Sequence, residues 1–337
     1  MICVIDCGTR NTRLSIVNDE GGIAARAEKK IGVRDSAVSG NNKLLKEGLK
    51  ELFESVLFKN GIKHEQIDVI VASGMITSEL GLFELPHLTA PVGLHELSMG
   101  MRQFKDSERL LDIDIPIVLI PGVKNAGIDR SSIKNLGHVD FMRGEEVQCM
   151  ALADRMKDIL PINIVVLSSN TKIIHITSEG KIAASTTTLS GQIYEALLSK
   201  TFIGKSVAGN DTNPVLPDRK NEIIEAAFET VRQTGLLRSF LLTRIMEILL
   251  DTTHSERNLF VNSIIAYDDM IAIDEFVKRG YFTDTYVFFG QENRCNLYER
   301  FFKEKYDGTI RIIKYYDKQI LSDLTVEGIL LVYNYKN

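Results

Sequence analysis

Met1-Ile2-Cys3-Val4-Ile5-Asp6-Cys7-Gly8-Thr9-Arg10-Asn11-Thr12-Arg13-Leu14-Ser15-Ile16-Val17 decides the reading of this chain. One apolar run delivers an acid, a glycine and a hydroxyl residue, and a second follows from Leu14 to Val17. Each run has the length and make-up of a buried strand. The order between them suits the gripping of a phosphate beside a metal ion. Asp6, at a strand end, can hold hydrated Mg2+, which prefers one or two carboxylates plus phosphate oxygens. Gly8 lets the turn bring backbone N–H groups against a phosphate. Thr9, Asn11 and Thr12 can add donors, and Arg13 can add charge. The plain alternative is a β-hairpin with a polar turn, and four residues of motif do not separate the two. The remainder of the chain favours phosphate binding.

A length of 337 residues exceeds one ordinary core and fits two domains. With 44% hydrophobic and 25% charged residues, the composition is that of a soluble globular protein. A formal charge of -5, with Lys and Arg scattered, argues against a nucleic acid or an anionic membrane as partner. Cys3, Cys7, Cys149 and Cys295 show no C-x-x-C spacing, so free thiols in a reducing compartment are expected. No basic leader precedes the first strand, and no run of about 18 apolar residues exists, which points to a cytoplasmic protein. The histidines lack ligand spacing and receive no role.

Strands are expected at Ile2–Ile5, Leu14–Val17 and Ile23–Lys29, with Asp19-Glu20-Gly21-Gly22 as a turn. Leu44–Phe58 is apolar at helical spacing and stops at Asn60-Gly61. Further strands follow at Val69–Ala72 and Pro116–Ile120. Phe141 to Glu146 leads into a helix, then come a strand at Ile162–Leu167 and a hairpin over 172–188. A mostly helical region covers 191–276, and strand, helix, strand, helix close the chain. This alternation is an α/β layer fold. Lobes of 1–140 and 141–337 are expected.

An offset of 159 residues, without a gap, pairs Asn11-Thr12 with Asn170-Thr171 and Arg13 with Lys172. It also pairs Glu20-Gly21 with Glu179-Gly180, and Ile23-Ala24-Ala25 with Ile182-Ala183-Ala184. The repeat preserves strand, turn, strand, turn, strand. Two related lobes facing a shared cleft are therefore expected, a favoured place for ligands. Ser73-Gly74-Met75 lies past a strand's carboxyl end, where open α/β sheets bind ligands.

Two such lobes resemble the acetate kinase, sugar kinase and actin superfamily. The order of Asp6-Cys-Gly-Thr-Arg-Asn-Thr-Arg13, Ala72-Ser-Gly-Met75, Ile120-Pro-Gly-Val123, Met142-Arg-Gly-Glu-Glu146 and Leu189-Ser-Gly-Gln192 resembles that of 2-dehydro-3-deoxygalactonokinases over roughly residues 1–265. The resemblance implies two lobes with ribonuclease H-like mixed sheets flanked by helices. It implies ATP- and Mg2+-dependent phosphorylation of a primary hydroxyl on a 2-keto-3-deoxy sugar acid, and it allows a homodimer. On this footing Asp6 holds the metal. Gly8, Thr9, Arg10 and Asn11 cradle phosphates from one side, and Ser168, Ser169, Asn170 and Thr171 from the other. Gly290 serves the nucleotide end. Lys172 or Arg13 neutralises charge growing on the bridging oxygen. Glu145 or Glu146 accepts the hydroxyl proton, although acids in a first helical turn also serve the helix dipole. Arg143 clamps the substrate carboxylate, with a plain surface arginine as the alternative. Ser73, Gly74, Met75 and Gln192 line the sugar acid.

Positions in the second hairpin and at the nucleotide end depart from the family pattern; at the latter, only Gly290 fits the small Gly-Ser-rich turn that the resemblance implies. Ser168 replaces a glycine, which would strain the turn if φ there is positive. Gln192 replaces a glutamate and cannot hold Mg2+ as a carboxylate does. These departures motivate the alternative of a weakened or inactive sugar-acid or nucleotide-binding protein on the same fold.

Overall fold

The computed structural model describes residues 1–105, 110–129, 131–209 and 215–335. The chain forms two compact units. One comprises Met1–Pro161, His175–Ser185 and the segment from Lys318 onward; the other comprises Ile162–Ile174 and Thr186–Asp317. Residue 140, where the sequence reading parts the lobes, lies inside the first of these units.

The first unit opens with β1 (Ile2–Cys7), β2 (Thr12–Val17) and β3 (Ile23–Lys29), then α1 (Val33–Ser39), α2 (Lys43–Asn60) and β4 (Val69–Gly74). It continues through β5 (Leu88–Thr89), α3 (Leu94–Gly100), β6 (Arg102–Phe104), β7 (Ile117–Leu119), β8 (Val123–Lys124), β9 (Phe141–Met142) and α4 (Glu145–Arg155). Its main sheet runs β3-β2-β1-β4-β7-β6. The first three strands form an antiparallel meander, and β1, β4 and β7 run parallel. Alternate residues of β1, Cys3, Ile5 and Cys7, enter one core with Leu45, Leu49, Phe53 and Val56 of α2. That helix ends at Gly61 in the left-handed region, as Asn60-Gly61 foretells.

β10 (Ile162–Leu167), β11 (Thr171–Ile176) and β12 (Ile182–Thr188) repeat the meander, in the second unit except for His175–Ser185, which belongs to the first. A helical stretch follows: α5 (Ser190–Lys200), α6 (Ile203–Val207), α7 (Pro217–Thr234), α8 (Leu236–Leu249) and α9 (His254–Lys278). Then come β13 (Thr285–Gly290), α10 (Glu292–Lys305) and β14 (Arg311–Tyr315), before α11 (Lys318–Tyr335) returns to the first unit. The sheet order is β12-β11-β10-β13-β14, with β10, β13 and β14 parallel.

Setting the sheets side by side, β3-β2-β1-β4-β7 matches β12-β11-β10-β13-β14 strand for strand. The second turns agree to the residue at the offset of 159. Asn18 N–H donates to Gly22 and Gly21 N–H to Asn18; Thr177 N–H donates to Lys181 and Gly180 N–H to Thr177. Gly21 and Gly180 both have positive φ. The expected repeat is therefore a repeat of fold. The four cysteines are free and buried, and among the described residues no helix is long and apolar enough to cross a membrane.

Helix α11 packs on α4 with backbones in contact. A Cβ added to Gly328 would stand 1.8 Å from the Val147 carbonyl oxygen. Gly328→Ala must push the two helices apart and is expected to cost about 1–3 kcal/mol in urea denaturation. Gly137→Ala, whose added methyl meets nothing within 4 Å, is the control. Equal midpoints for the two variants would contradict this packing.

Candidate active site

In the first unit, parallel pairing of β1 with β4 sets Asp6 opposite Ser73 and Cys7 opposite Gly74. These residues end two neighbouring strands, so their side chains and N–H groups gather at one edge of the sheet. The Asp6 carboxylate accepts from Arg13 Nη1 at 3.1 Å on Oδ2, while its Oδ1 faces Gly74, where a Cβ would lie 3.6 Å away. Burial lifts the Asp6 carboxyl above the usual range and Arg13 draws it back down.

The turn between β1 and β2 closes through Gly8 N–H to the Asn11 carbonyl, 2.9 Å. Thr9 and Arg10 are exposed, Gly8 and Asn11 half-buried. The first N–H groups of α1 bind this turn from behind: Val33 N–H reaches the Gly8 carbonyl at 3.4 Å and Arg34 N–H the Thr9 carbonyl at 2.9 Å. Only a glycine permits such an approach, because a Cβ on Gly32 would stand 2.5 Å from the Thr9 oxygen. Thr12 is no phosphate donor. It is fully buried and its hydroxyl donates to the Ile31 carbonyl at 2.8 Å.

Glu145 and Glu146 begin α4 and point about 100° apart. Glu145 is half-buried. Glu146 has 0% exposure; it accepts from Ser73 Oγ at 3.1 Å and from Gly144 N–H at 2.7 Å. Burial, reinforced by the charge of Glu145, pushes its carboxyl up to about 8. Asp6, Ser73, Gly74 and Glu146 thus form one cluster, with Gly144 against Gly74. Met75 opens the short turn after β4 and packs partly into the core. Arg143 is braced: it donates to Thr77 Oγ1 at 2.8 Å and the Leu85 carbonyl at 2.6 Å, with His87 Nδ1 at 3.4 Å.

In the second unit, the turn between β10 and β11 closes through Ser168 N–H to the Asn170 carbonyl, 3.0 Å. Ser168 and Ser169 are exposed. The non-glycine residues with positive φ are Asp112, Asn135 and Asp307 among those described, so Ser168 carries no such strain. Gln192 N–H donates to the Ser169 carbonyl at 2.8 Å and its side-chain amide to Asn170 Oδ1 at 2.7 Å. The amide supports the turn, a task for which the carboxylate it replaces has no proton to offer. Gly290 pairs with Leu167, and a Cβ there would meet the Leu167 oxygen at 2.2 Å. Lys172 is buried on β11 at 4% exposure.

Sequence reasoning missed the residues beneath this turn. Arg294 donates to the Ser168 carbonyl and to Thr171 Oγ1, both at 2.7 Å. Asp269, 1% exposed, accepts from Thr188, Ser190 and Tyr298 and lies 3.9 Å from Arg294. One signal was available: Asp269 continues the apolar stripe Val261, Ile265, Ile273, Phe276 of α9, where an acid needs buried partners.

Asp6 is the only carboxylate of the first turn, and among the described residues no three His, Cys, Asp or Glu side chains could hold a metal together. That donor set fits Mg2+ completed by phosphate and water oxygens and does not fit a metal caged by protein alone.

Two α/β units, each opening with a braced turn, define the fold of the actin-like ATPases and sugar kinases. The crystal structure of a Sinorhizobium meliloti protein assigned as a 2-dehydro-3-deoxygalactonokinase superimposes with a TM-score of 0.73 over 99% of both chains, at 18% identity. The chain matches the 2-keto-3-deoxy-galactonokinase family over residues 6–319 and belongs to that family. The match reaches well past the 265 residues of the sequence resemblance. Over 208 residues it is 22% identical to the probable 2-dehydro-3-deoxygalactonokinase of Rhizobium meliloti (strain 1021), taking in 62% of this chain and 60% of that protein's length.

The raised Glu146 carboxyl has a consequence for stability. The folded chain keeps this proton up to about 8, whereas an unfolded glutamate loses it near 4.3. Between those values the native state binds more protons, so Glu146 subtracts stability as pH rises. Glu146→Gln, a mimic of the protonated acid, is expected to gain on the wild type by on the order of a few kcal/mol between pH 5 and pH 8. Thermal melts at both pH values test this, and a constant gap would refute it.

Proposed function

We propose that the chain phosphorylates a primary hydroxyl of a 2-keto-3-deoxy sugar acid, resembling 2-dehydro-3-deoxygalactonate, with ATP and Mg2+. The carrying observation is the cluster of Asp6, Ser73, Gly74 and Glu146 at the ends of adjacent parallel strands. Family membership supports the same reading. Phosphoryl transfer asks mainly for positioning and charge neutralisation, and the residues divide those tasks.

Asp6 would hold the metal through Oδ1, with Arg13 fixing the carboxylate from the other oxygen. Bound there, Mg2+ supplies neutralisation of phosphate charge. Gly8 to Asn11 and Ser168 to Thr171 would present phosphate donors, from turns already held by their helices. Arg143 would meet the sugar acid, its bracing by Thr77 and Leu85 leaving part of its five-donor fork for a carboxylate, while Ser73 and Gly74, both buried, would shape the sheet edge behind it. Glu145 would accept the hydroxyl proton. Complete burial speaks against Glu146 as the base, since a substrate atom cannot reach it, and gives it the task of orienting Ser73. Burial of Lys172 likewise favours Arg13 for charge neutralisation.

Coupled ATP turnover with a panel of 2-keto-3-deoxy sugar acids tests the reading. Asp6→Asn and Glu145→Gln are each expected to lower kcat by about 10²-fold or more, and Glu146→Gln by less than about tenfold. Full activity of Asp6→Asn removes its metal role, and full activity of Glu145→Gln removes the base. No turnover from the wild type, with micromolar nucleotide binding, favours a binding protein instead. Phosphate release without a sugar acid favours a hydrolase.

A further inference from the structure

We propose that Arg294 is a positioning residue for the phosphate donor: it sets the conformation of the Ser168–Thr171 turn, and Asp269 sets Arg294. The inference rests on the reading of that turn as a phosphate holder. It assigns the work to residues outside every motif quoted above.

The two units make the comparison. In the first, both turn carbonyls, of Gly8 and Thr9, are held by N–H groups of the following helix. In the second, Gly191 stands where Gly32 stands at the offset of 159, equally close to its turn, 2.3 Å from the Ser168 oxygen for an added Cβ. The helix after it holds the Ser169 carbonyl through Gln192 N–H. The remaining carbonyl, of Ser168, takes the Arg294 guanidinium, whose other end holds Thr171 Oγ1. One side chain thus grips both shoulders of the turn and replaces a backbone contact.

Satisfying an acceptor does not explain this. Ser168 is exposed, so water could serve its carbonyl. Nor does stability. Arg294 is 11% and Asp269 1% exposed, and buried ion pairs rarely outperform apolar packing. Their return is a fixed geometry. Asp269 meets four partners from three other segments, Thr188 and Ser190 at the end of β12 and start of α5, Tyr298 and Arg294 on α10. Tyr298 Oη also receives Arg294 Nη2 at 3.4 Å. Rotation of the guanidinium away from the turn would break this network, so the turn is held in one conformation before any ligand arrives.

Calorimetric titration of the whole protein with ADP and Mg2+ tests the proposal, alongside thermal melts and steady-state kinetics. Arg294→Met is expected to weaken ADP binding and raise the KM for ATP about tenfold or more, with the KM for the sugar acid within about twofold; Arg294→Lys restores part of the loss. A purely structural arginine would lower Tm and leave ADP affinity unchanged, and that result overturns the proposal. Should Arg294→Met not fold, Arg294→Lys alone decides: affinity equal to wild type overturns it. Wild-type protein that binds no ADP refutes the reading of the turn and the inference with it, whereas wild-type binding with an unaffected variant refutes the inference alone.

Discussion

A carbonyl oxygen held from behind is the constraint on which this molecule depends. A tight turn at a strand end points its carbonyls back toward the fold, and each carbonyl then needs a donor. The first N–H groups of a helix are donors without partners, so a helix starting under the turn answers both needs at once. Val33 and Arg34 do this for Gly8 and Thr9, and Gln192 does it for Ser169. The helix must come so close that its leading residue has no room for a side chain, which accounts for Gly32 and Gly191. Strand order, turn and glycine recur together because they are parts of one device.

The same device shows which parts of the architecture could be read in one dimension. The meanders were legible because buried strands on both faces produce continuous apolar runs, as in Ile2–Ile5 and Ile162–Leu167. The repeat was legible because the turn glycines, Gly21 and Gly180, keep their spacing. Short elements were not: α1 and α3 span seven residues each, too few for a helical period to stand out. The β5-β8-β9 sheet, with two residues per strand, carries no pattern of its own.

For the site, legibility followed backbone chemistry. Asp6, Gly8, Ser73, Gly74 and Glu146 fall together because strand ends and turn residues have a recognisable order. Side chains that act across the fold are another matter. Thr12 lies within the motif yet serves Ile31. Gln192 replaces an acid yet finds an amide's use in gripping Asn170. Ser168 replaces a glycine at a place where φ in this chain is not positive. Each substitution is judged by the partner it meets, and the partner is known only in three dimensions.

Both units also bury an acid, Glu146 in the first and Asp269 in the second, and the two are held differently. Glu146 has backbone and hydroxyl donors but, among the described residues, no cation within hydrogen-bond reach, and it answers burial by keeping its proton. Asp269 has one serine and one threonine hydroxyl, a phenol and a guanidinium nearby, donors drawn from three segments. Glu146 orients one side chain, Ser73, whose hydroxyl donates to Oε1 while Oε2 takes the Gly144 N–H. Asp269 ties several segments together, because its two oxygens take donors from β12, α5 and α10. The second turn has one helix N–H fewer than the first, and it is the turn with the charged network beneath it.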